Sequence, residues 1–228
     1  DLFIKMKEIF NFKTYNSANF VDKSALELKN IIQKLLQDSD TISIAISGGS
    51  SPLPIYKKLT DYKIEWNRIF FFLVDERCVS ISEPESNYGN INNIFFKKIN
   101  AVSFSMIEAG ISFKQCADNY ERKILESVQK VKNLPSFDLV ILGMGLDGHI
   151  ASLFPNTKAL NEKEALIVLN DIPQLNTQRI TMTYPLLMNS KKIVMIIKGK
   201  EKKKVLIDSL TNKLPVSVLI PKLDILLN

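Results

Sequence analysis

The chain has 228 residues, 46% of them hydrophobic and 24% charged, which is typical of a globular protein with one large domain or two small ones. Two cysteines, Cys78 and Cys116, and a single histidine exclude a disulfide framework and argue against a Cys- or His-rich metal site, so we expect a reducing, cytoplasmic compartment. The net charge of +6 comes from lysines spread along the chain without a nucleic-acid motif, which predicts a small anionic substrate and no nucleic-acid partner.

The N-terminal stretch DLFIKMKEIF is interrupted by Lys5 and Lys7, so it lacks the apolar core of a signal peptide. No apolar run elsewhere approaches the roughly 20 residues of a membrane helix, and no membrane partner is predicted. Since the chain does not begin with Met, we expect a fragment, a processed product or a trimmed chain.

Apolar runs of strand length alternate with patterns of helical period along the rest of the chain. The helical patterns cover residues 21–35, 53–59, 86–99, 113–131 and 201–210. The apolar runs predict strands at 42–46, 69–74, 137–143, 165–169, 179–183, 192–198 and 216–220. Near-continuous apolar strands separated by helices indicate a parallel sheet that is covered on both faces. The sequence therefore predicts a single α/β domain over residues 1–228, with a three-layer, Rossmann-like, mostly parallel sheet and helices on both faces.

Three polar or glycine-rich segments each follow one of these strands. They are SGGSS at 47–51, DER at 75–77 and GMGLDGH at 143–149. In sheets of this class, ligands bind at the carboxyl ends of the strands. We therefore expect the three segments to converge on one site.

The segment SGGSSP has the composition of an anion-binding loop. Its glycines allow a tight turn with exposed N–H groups, and its serines add hydroxyl groups beside a predicted helix N-terminus. An ordinary strand-to-helix turn with a serine N-cap explains the same residues equally well. The segment is neither a Walker A loop nor G-x-G-x-x-G, so neither ATP nor NAD is indicated. The candidate binding residues are Ser47, Gly48, Gly49, Ser50 and Ser51.

Two further segments carry charges that could hold an anion. VDER places Asp75 and Arg77 directly after a strand, where the arginine can face an anionic substrate or form a salt bridge in a surface turn. KGKEKKK crowds five lysines around a helix N-terminus, where the helix macrodipole disfavours cations. A solvated charged turn and an anion-binding lysine both remain open explanations of this second segment.

The segment GMGLDGHIASLFP gives the sharpest indication of catalysis. His149 is the only histidine of the chain and follows a buried strand in a glycine-rich turn, with Asp147 two positions earlier. A lone histidine is more often structural than catalytic. Here, however, the two side chains can point to the same side, and a carboxylate that fixes the imidazole tautomer makes histidine an effective base. The pair therefore predicts a catalytic site.

Taken together, these segments resemble the 6-phosphogluconolactonase family, which shares a fold with glucosamine-6-phosphate deaminase. The resemblance begins near residue 20, and FDLVILGMGLDGH is highly specific to these two families. Leu146 departs from the pattern, since lactonases commonly have proline there, and we expect only a local backbone effect. The matching pieces are SGGSSP, VDERCV with SNYGN, FDLVILGMGLDGHIASLFP, RITMTYPLL and KGKEK.

The resemblance implies hydrolysis of 6-phosphogluconolactone to 6-phosphogluconate in the oxidative pentose phosphate pathway, with no cofactor and no metal. His149 would act as general base toward water and Asp147 would orient it, while Arg77 would lie beside the carbonyl or the phosphate. In some lineages this lactonase is fused to glucose-6-phosphate dehydrogenase, so fusion or association with that enzyme is a further expectation.

The resemblance also implies a phosphate-binding set built from the SGGSS loop and two cationic residues. Lys202 and Arg179 would hold the 6-phosphate with the loop, and Asp75 is expected among the residues that bind the substrate.

Two other functions are compatible with this fold class. The deaminase has a glutamate five residues after the histidine, where this chain has Phe154, and an aromatic residue where Arg77 stands. A sugar-phosphate-responsive regulator would need a DNA-binding helix-turn-helix, which the sequence does not show, and would have no use for the Asp147–His149 pair. Both observations favour the lactonase.

Overall fold

The computed structural model describes residues 9–228. Lys5 and Lys7, which argue against a signal peptide at the N-terminus, lie outside the described residues. Within residues 9–228, no helix combines the length and the apolar character that a membrane span requires.

Twelve short strands occur in the described chain. Their bounds are β1 (Asn11–Thr14), β2 (Ile42–Ile46), β3 (Ile69–Leu73), β4 (Asp75–Arg77), β5 (Val102–Ser103), β6 (Lys130–Val131), β7 (Leu134–Pro135), β8 (Leu139–Leu142), β9 (Ile167–Ile172), β10 (Thr177–Met182), β11 (Ile193–Ile197) and β12 (Leu223–Leu227). Seven of them form a central sheet in the order β1-β12-β11-β8-β2-β3-β5. Each neighbouring pair in this sheet is parallel, which confirms the predicted α/β class with a mostly parallel sheet.

Helices follow most of the central strands. The α-helices of five or more described residues are α1 (Phe20–Asp38), α2 (Leu53–Leu59), α3 (Asn87–Ile91), α4 (Phe113–Ser127), α5 (Tyr184–Asn189) and α6 (Lys200–Asp208). In α1, the buried residues Ala25, Leu28 and Ile32 recur at helical spacing, so this helix forms because one apolar face is covered. In the region predicted to be helical at 86–99, α3 continues into a π-helical turn. In the region predicted to be helical at 113–131, the observed helix α4 ends at Ser127.

Successive strands are added on one side of β2 and then, from β8 onward, on its other side. From β2 the sheet grows through β3 to β5, and from β8 it grows through β11 to β12 on the other side. Such a reversal leaves a crevice outside the carboxyl ends of the two central strands, where open α/β sheets bind ligands. The SGGSS loop follows β2 and the GMGLDGH segment follows β8, so both line this crevice.

A second sheet of three antiparallel strands, β4-β10-β9, lies outside the parallel sheet. The strands predicted at 165–169 and 179–183 therefore exist, but they do not belong to the parallel sheet. The short connection between β9 and β10 is the reason, because two strands joined by a few residues can pair only as an antiparallel hairpin. Asn176 completes that turn with a left-handed φ of 47°.

The strand predicted at 216–220 was wrong. Pro215–Lys222 is a 3₁₀ helix, and the strand that completes the sheet is β12, which follows it directly. Pro215 and Pro221 bracket the predicted strand, and proline has no N–H group to donate to a strand ladder. The apolar run alone did not separate a short buried helix from a strand.

Candidate active site

A cleft with a volume of about 210 Å³ opens at the carboxyl ends of β2 and β8. Every residue that the sequence predicted for the site lies in its lining, except Asp147, which contacts a lining residue from outside. The three segments therefore converge as expected. The lining consists of Ser47, Gly48, Gly49, Ser50, Ser51, Pro52, Asp75, Arg77, Asn87, Gly143, Met144, Gly145, His149, Ala151, Arg179 and Lys202.

The SGGSS loop is held by contacts with its neighbours. The Gly143 N–H donates to Ser47 Oγ at 3.3 Å, which ties the loop after β2 to the loop after β8. A Cβ atom on Gly48 would lie 2.1 Å from Asn87 Oδ1, so only glycine fits there without displacing Asn87. Helix α2 has Pro52 at its N-cap and no side-chain cap. The serines therefore do not serve as the N-cap of α2.

Asp75 belongs to β4 and is buried. Its Oδ2 accepts a hydrogen bond of 2.6 Å from the Ser152 hydroxyl group, and its backbone carbonyl accepts one of 3.0 Å from Asn87 Nδ2. Asp75 is thus fixed in the wall of the cleft. The sequence did not single out Ser152 or Asn87, although Asn87 lies inside the SNYGN segment that carries part of the family resemblance.

Glu76, which the sequence did not select either, organises this wall from behind. Its buried carboxylate accepts hydrogen bonds from the N–H groups of Arg77, Asn87 and Tyr88 and from the Ser86 hydroxyl group. Burial raises the pKa of Glu76 against the opposing effect of these N–H donors. The arrangement fixes β4 against the first turn of α3, because the backbone N–H groups of Arg77 and Asn87 both donate to the Glu76 carboxylate.

Two arginines come together in the second sheet. Arg77 and Arg179 lie directly opposite each other in the β4–β10 pairing, which places their side chains on the same face. Each has a buried Nε that lacks a hydrogen-bond partner among the described residues. Burial lowers the pKa of Arg179, and the neighbouring charge of Arg77 lowers it further. Two adjacent guanidinium groups in the lining of the cleft form a site that attracts an anion.

Lys202 brings a third positive charge to the cleft. It lies on α6, and its Nζ is 3.4 Å from Ser51 Oγ, so one lysine of the KGKEKKK segment contacts the SGGSS loop. Burial lowers its pKa. A partly desolvated ammonium group beside hydroxyl and N–H donors favours a bound phosphate group.

His149 and Asp147 form a hydrogen-bonded pair. Asp147 Oδ1 lies 2.6 Å from His149 Nδ1 and also accepts from the His149 backbone N–H at 3.1 Å. Burial is the largest single influence on the pKa of Asp147 and raises it, but the side-chain hydrogen bond, the charge and the backbone hydrogen bond of His149 together outweigh burial, and the net pKa is lowered. Asp147 therefore stays ionised at neutral pH and holds the imidazole by Nδ1.

The family model for glucosamine-6-phosphate isomerases and 6-phosphogluconolactonase matches residues 15–225. The chain belongs to this family. Among curated relatives, a 6-phosphogluconolactonase of Thermotoga maritima is 36% identical over 186 residues, which are 80% of this chain and 81% of the relative. A probable 6-phosphogluconolactonase of Dictyostelium discoideum is 34% identical, over 87% of this chain and 86% of the relative.

Other relatives of the family have a longer chain. The human GDH/6PGL endoplasmic bifunctional protein is 31% identical over 83% of this chain, but the match covers only 25% of that protein. Among solved structures, the 6-phosphogluconolactonase of Thermotoga maritima superposes with a TM-score of 0.83 at 31% identity and covers 94% of this chain and 97% of that chain.

Two features of this family member complete the description of the site. Leu146, the departure from the usual proline, is 59% exposed, and the turn around it is closed by backbone hydrogen bonds between Gly145 and His149 and between Gly148 and Gly145. In the described part of the chain, the acidic, cysteine and histidine side chains form no group of three that could hold a metal ion.

Proposed function

We propose that this chain hydrolyses 6-phospho-D-glucono-1,5-lactone to 6-phospho-D-gluconate, as a 6-phosphogluconolactonase. The observation that carries the proposal is His149, which is hydrogen-bonded to Asp147 and lines a cleft that three cationic side chains also line. A base and several anion-binding groups suit a substrate that has both a phosphate group and an activated carbonyl. The names of the relatives at 31–36% identity support the same activity.

In the proposed reaction, His149 acts as the general base. When Nδ1–H donates to Asp147, Nε2 carries the free lone pair. A water molecule transfers a proton to Nε2 while its oxygen bonds to the lactone carbonyl carbon, and this gives a tetrahedral oxyanion. Collapse of the oxyanion breaks the bond between that carbon and the ring oxygen. The imidazolium then returns its proton to the ring oxygen, which becomes a hydroxyl group. The carboxylic acid formed at the carbonyl carbon loses its proton to the solvent, which gives 6-phosphogluconate.

The cationic groups divide between the two ends of the substrate. We assign the 6-phosphate to the SGGSS loop with Lys202, because the contact between Lys202 and Ser51 places an ammonium group beside the loop donors. The arginine pair in the lining of the cleft offers two positive charges to a second negative centre. Arg179 is proposed to contact the phosphate and Arg77 the phosphate or the oxyanion, where a fixed positive charge lowers the barrier.

The direct test uses freshly generated 6-phosphogluconolactone, with spontaneous hydrolysis subtracted, and compares it with ammonia release from glucosamine-6-phosphate at millimolar concentration. We expect lactone hydrolysis and negligible deamination, since Phe154 stands where the deaminase needs a glutamate. Deamination at a rate comparable with lactone hydrolysis would overturn the choice between the two activities of the family.

Gly145 supplies a second test of the site. A Cβ atom there would lie 2.1 Å from His149 Nδ1 and 2.7 Å from Asp147 Oδ1, so an alanine would force the pair apart. We expect Gly145→Ala to lower the lactonase kcat at least about 10-fold, because misplaced catalytic groups lose rate steeply. The measurement is kcat together with the thermal midpoint of the same preparation. A folded variant with unchanged kcat would show that the hydrogen-bonded geometry is not used.

We further propose that the described fold acts as a single domain in the oxidative pentose phosphate pathway, in the cytoplasm. The bifunctional relative supports fusion or association with glucose-6-phosphate dehydrogenase as a further proposal. Coupling would shorten the time that an unstable lactone spends free in solution.

A further inference from the structure

The imidazole ring of His149 packs face to face against the phenyl ring of Phe154. The ring centroids are 3.9 Å apart and the planes are inclined by 22°. Phe154 is only 3% exposed. It is absent from the lining of the cleft, so it lies behind the residues that face a substrate.

The same phenyl ring also supports a cationic group of the site. Arg179 Cζ lies over it, 5.6 Å from the centroid. The backbone of Phe154 is held in turn, because its carbonyl accepts hydrogen bonds from the Thr157 hydroxyl group at 2.8 Å and from the Thr157 N–H at 3.3 Å. One rigid and anchored ring therefore touches both the proposed base and a proposed anion-binding arginine.

A single side-chain hydrogen bond does not fix an imidazole. The bond from Nδ1 to Asp147 holds one point of the ring, while the terminal torsion of histidine is broad. A ring stacked on one face restrains the tilt that this bond leaves free. Because the lone pair of Nε2 lies in the ring plane, the tilt of the ring sets the direction in which Nε2 can accept a proton.

We propose that Phe154 is a positioning residue for this active site, which sets the plane of His149 and supports Arg179. The proposal rests on the proposed lactonase activity and on His149 as its base. Phe154 touches neither the substrate nor the reacting atoms and acts only through these two side chains. This role also explains why an aromatic residue, and not only an apolar one, suits the position.

The single histidine of the chain makes the first test spectroscopic. In the wild-type protein the ring protons of His149 should resonate upfield of an unstacked imidazole, because they lie over the face of Phe154. Phe154→Leu should move them downfield, and Phe154→Tyr should keep them upfield. An unshifted wild-type signal, or one that Phe154→Leu leaves in place, would overturn the proposal.

The second test is kinetic. We expect Phe154→Leu to lower kcat roughly 10-fold and to raise KM because Arg179 loses its support, and we expect Phe154→Tyr to restore most of both. A kcat of folded Phe154→Leu within twofold of wild type would refute the positioning role. If Phe154→Leu does not fold, Phe154→Met removes the ring while keeping most of its volume and is judged by the same criteria.

Phe137→Leu is the matched control. Phe137 is fully buried, packs on Phe72 at a centroid distance of 5.3 Å and precedes β8, at the edge of the sheet opposite the cleft. It should lower the thermal midpoint as a core substitution does while leaving kcat unchanged. A comparable loss of kcat in Phe137→Leu would mean that general loosening of the core explains the Phe154 result, which would overturn the proposal.

The failure of this inference differs from a failure of the proposed function. A wild-type protein without lactonase activity would reject the function itself. An active wild type whose His149→Ala variant is inactive, but whose Phe154→Leu variant is normal, would reject only the positioning role.

Discussion

His149→Ala should lower kcat for lactone hydrolysis by about 10²–10⁴-fold, the range that a general base contributes. The protein should stay folded and still bind 6-phosphogluconate, since the anion-binding groups are untouched. Activity of the wild type should also fall in acid, because a protonated imidazole cannot accept a proton from water. The measurement is kcat across pH with the uncatalysed rate subtracted at every point, since the lactone hydrolyses faster in alkali.

Two comparisons separate a base from a structural histidine. Asp147→Asn should also lose activity, because an amide no longer selects the tautomer that leaves Nε2 free. If His149 only packs the turn, His149→Ala would lower the thermal midpoint and leave kcat near wild type. A folded His149→Ala variant that keeps more than about a tenth of wild-type kcat would refute its role as the base.

Removal of the substrate phosphate should cost at least about 100-fold in kcat/KM, measured with unphosphorylated gluconolactone. Charge-assisted hydrogen bonds contribute on the order of 1.5–3 kcal/mol each, and the loss of two gives at least this factor. The cluster of Lys202 with the SGGSS loop motivates this expectation. Equal kcat/KM for the two lactones would reject the assignment of the phosphate site.

Lys202→Ala tests the same site from the protein side. It should mainly raise KM, because the phosphate is bound alike in the ground state and the transition state. Lys204→Ala is the matched control, since Lys204 is exposed on the same helix and does not line the cleft. An unchanged KM in Lys202→Ala would move the phosphate contact to Arg179 or to another lysine.

Local sequence determined the position of the cleft and its proposed base. Apolar strands followed by glycine-rich segments predicted the parallel sheet and the edge at which those segments meet, because the carboxyl ends of parallel strands share one edge. The spacing of Asp147 and His149 predicted their hydrogen bond, since residues two apart in a turn can reach each other without help from the rest of the chain. The distance of 2.6 Å confirms that contact.

Only the tertiary structure decided which distant groups stand together. The opposition of Arg77 and Arg179 depends on the register of β4 and β10, which no local pattern specifies because the two strands are about 100 residues apart in sequence. The four donors to Glu76 likewise come together only when α3 packs on β4. The contact between Asp147 and His149 follows from their spacing in sequence, whereas the register of β4 and β10 follows from how the whole core packs.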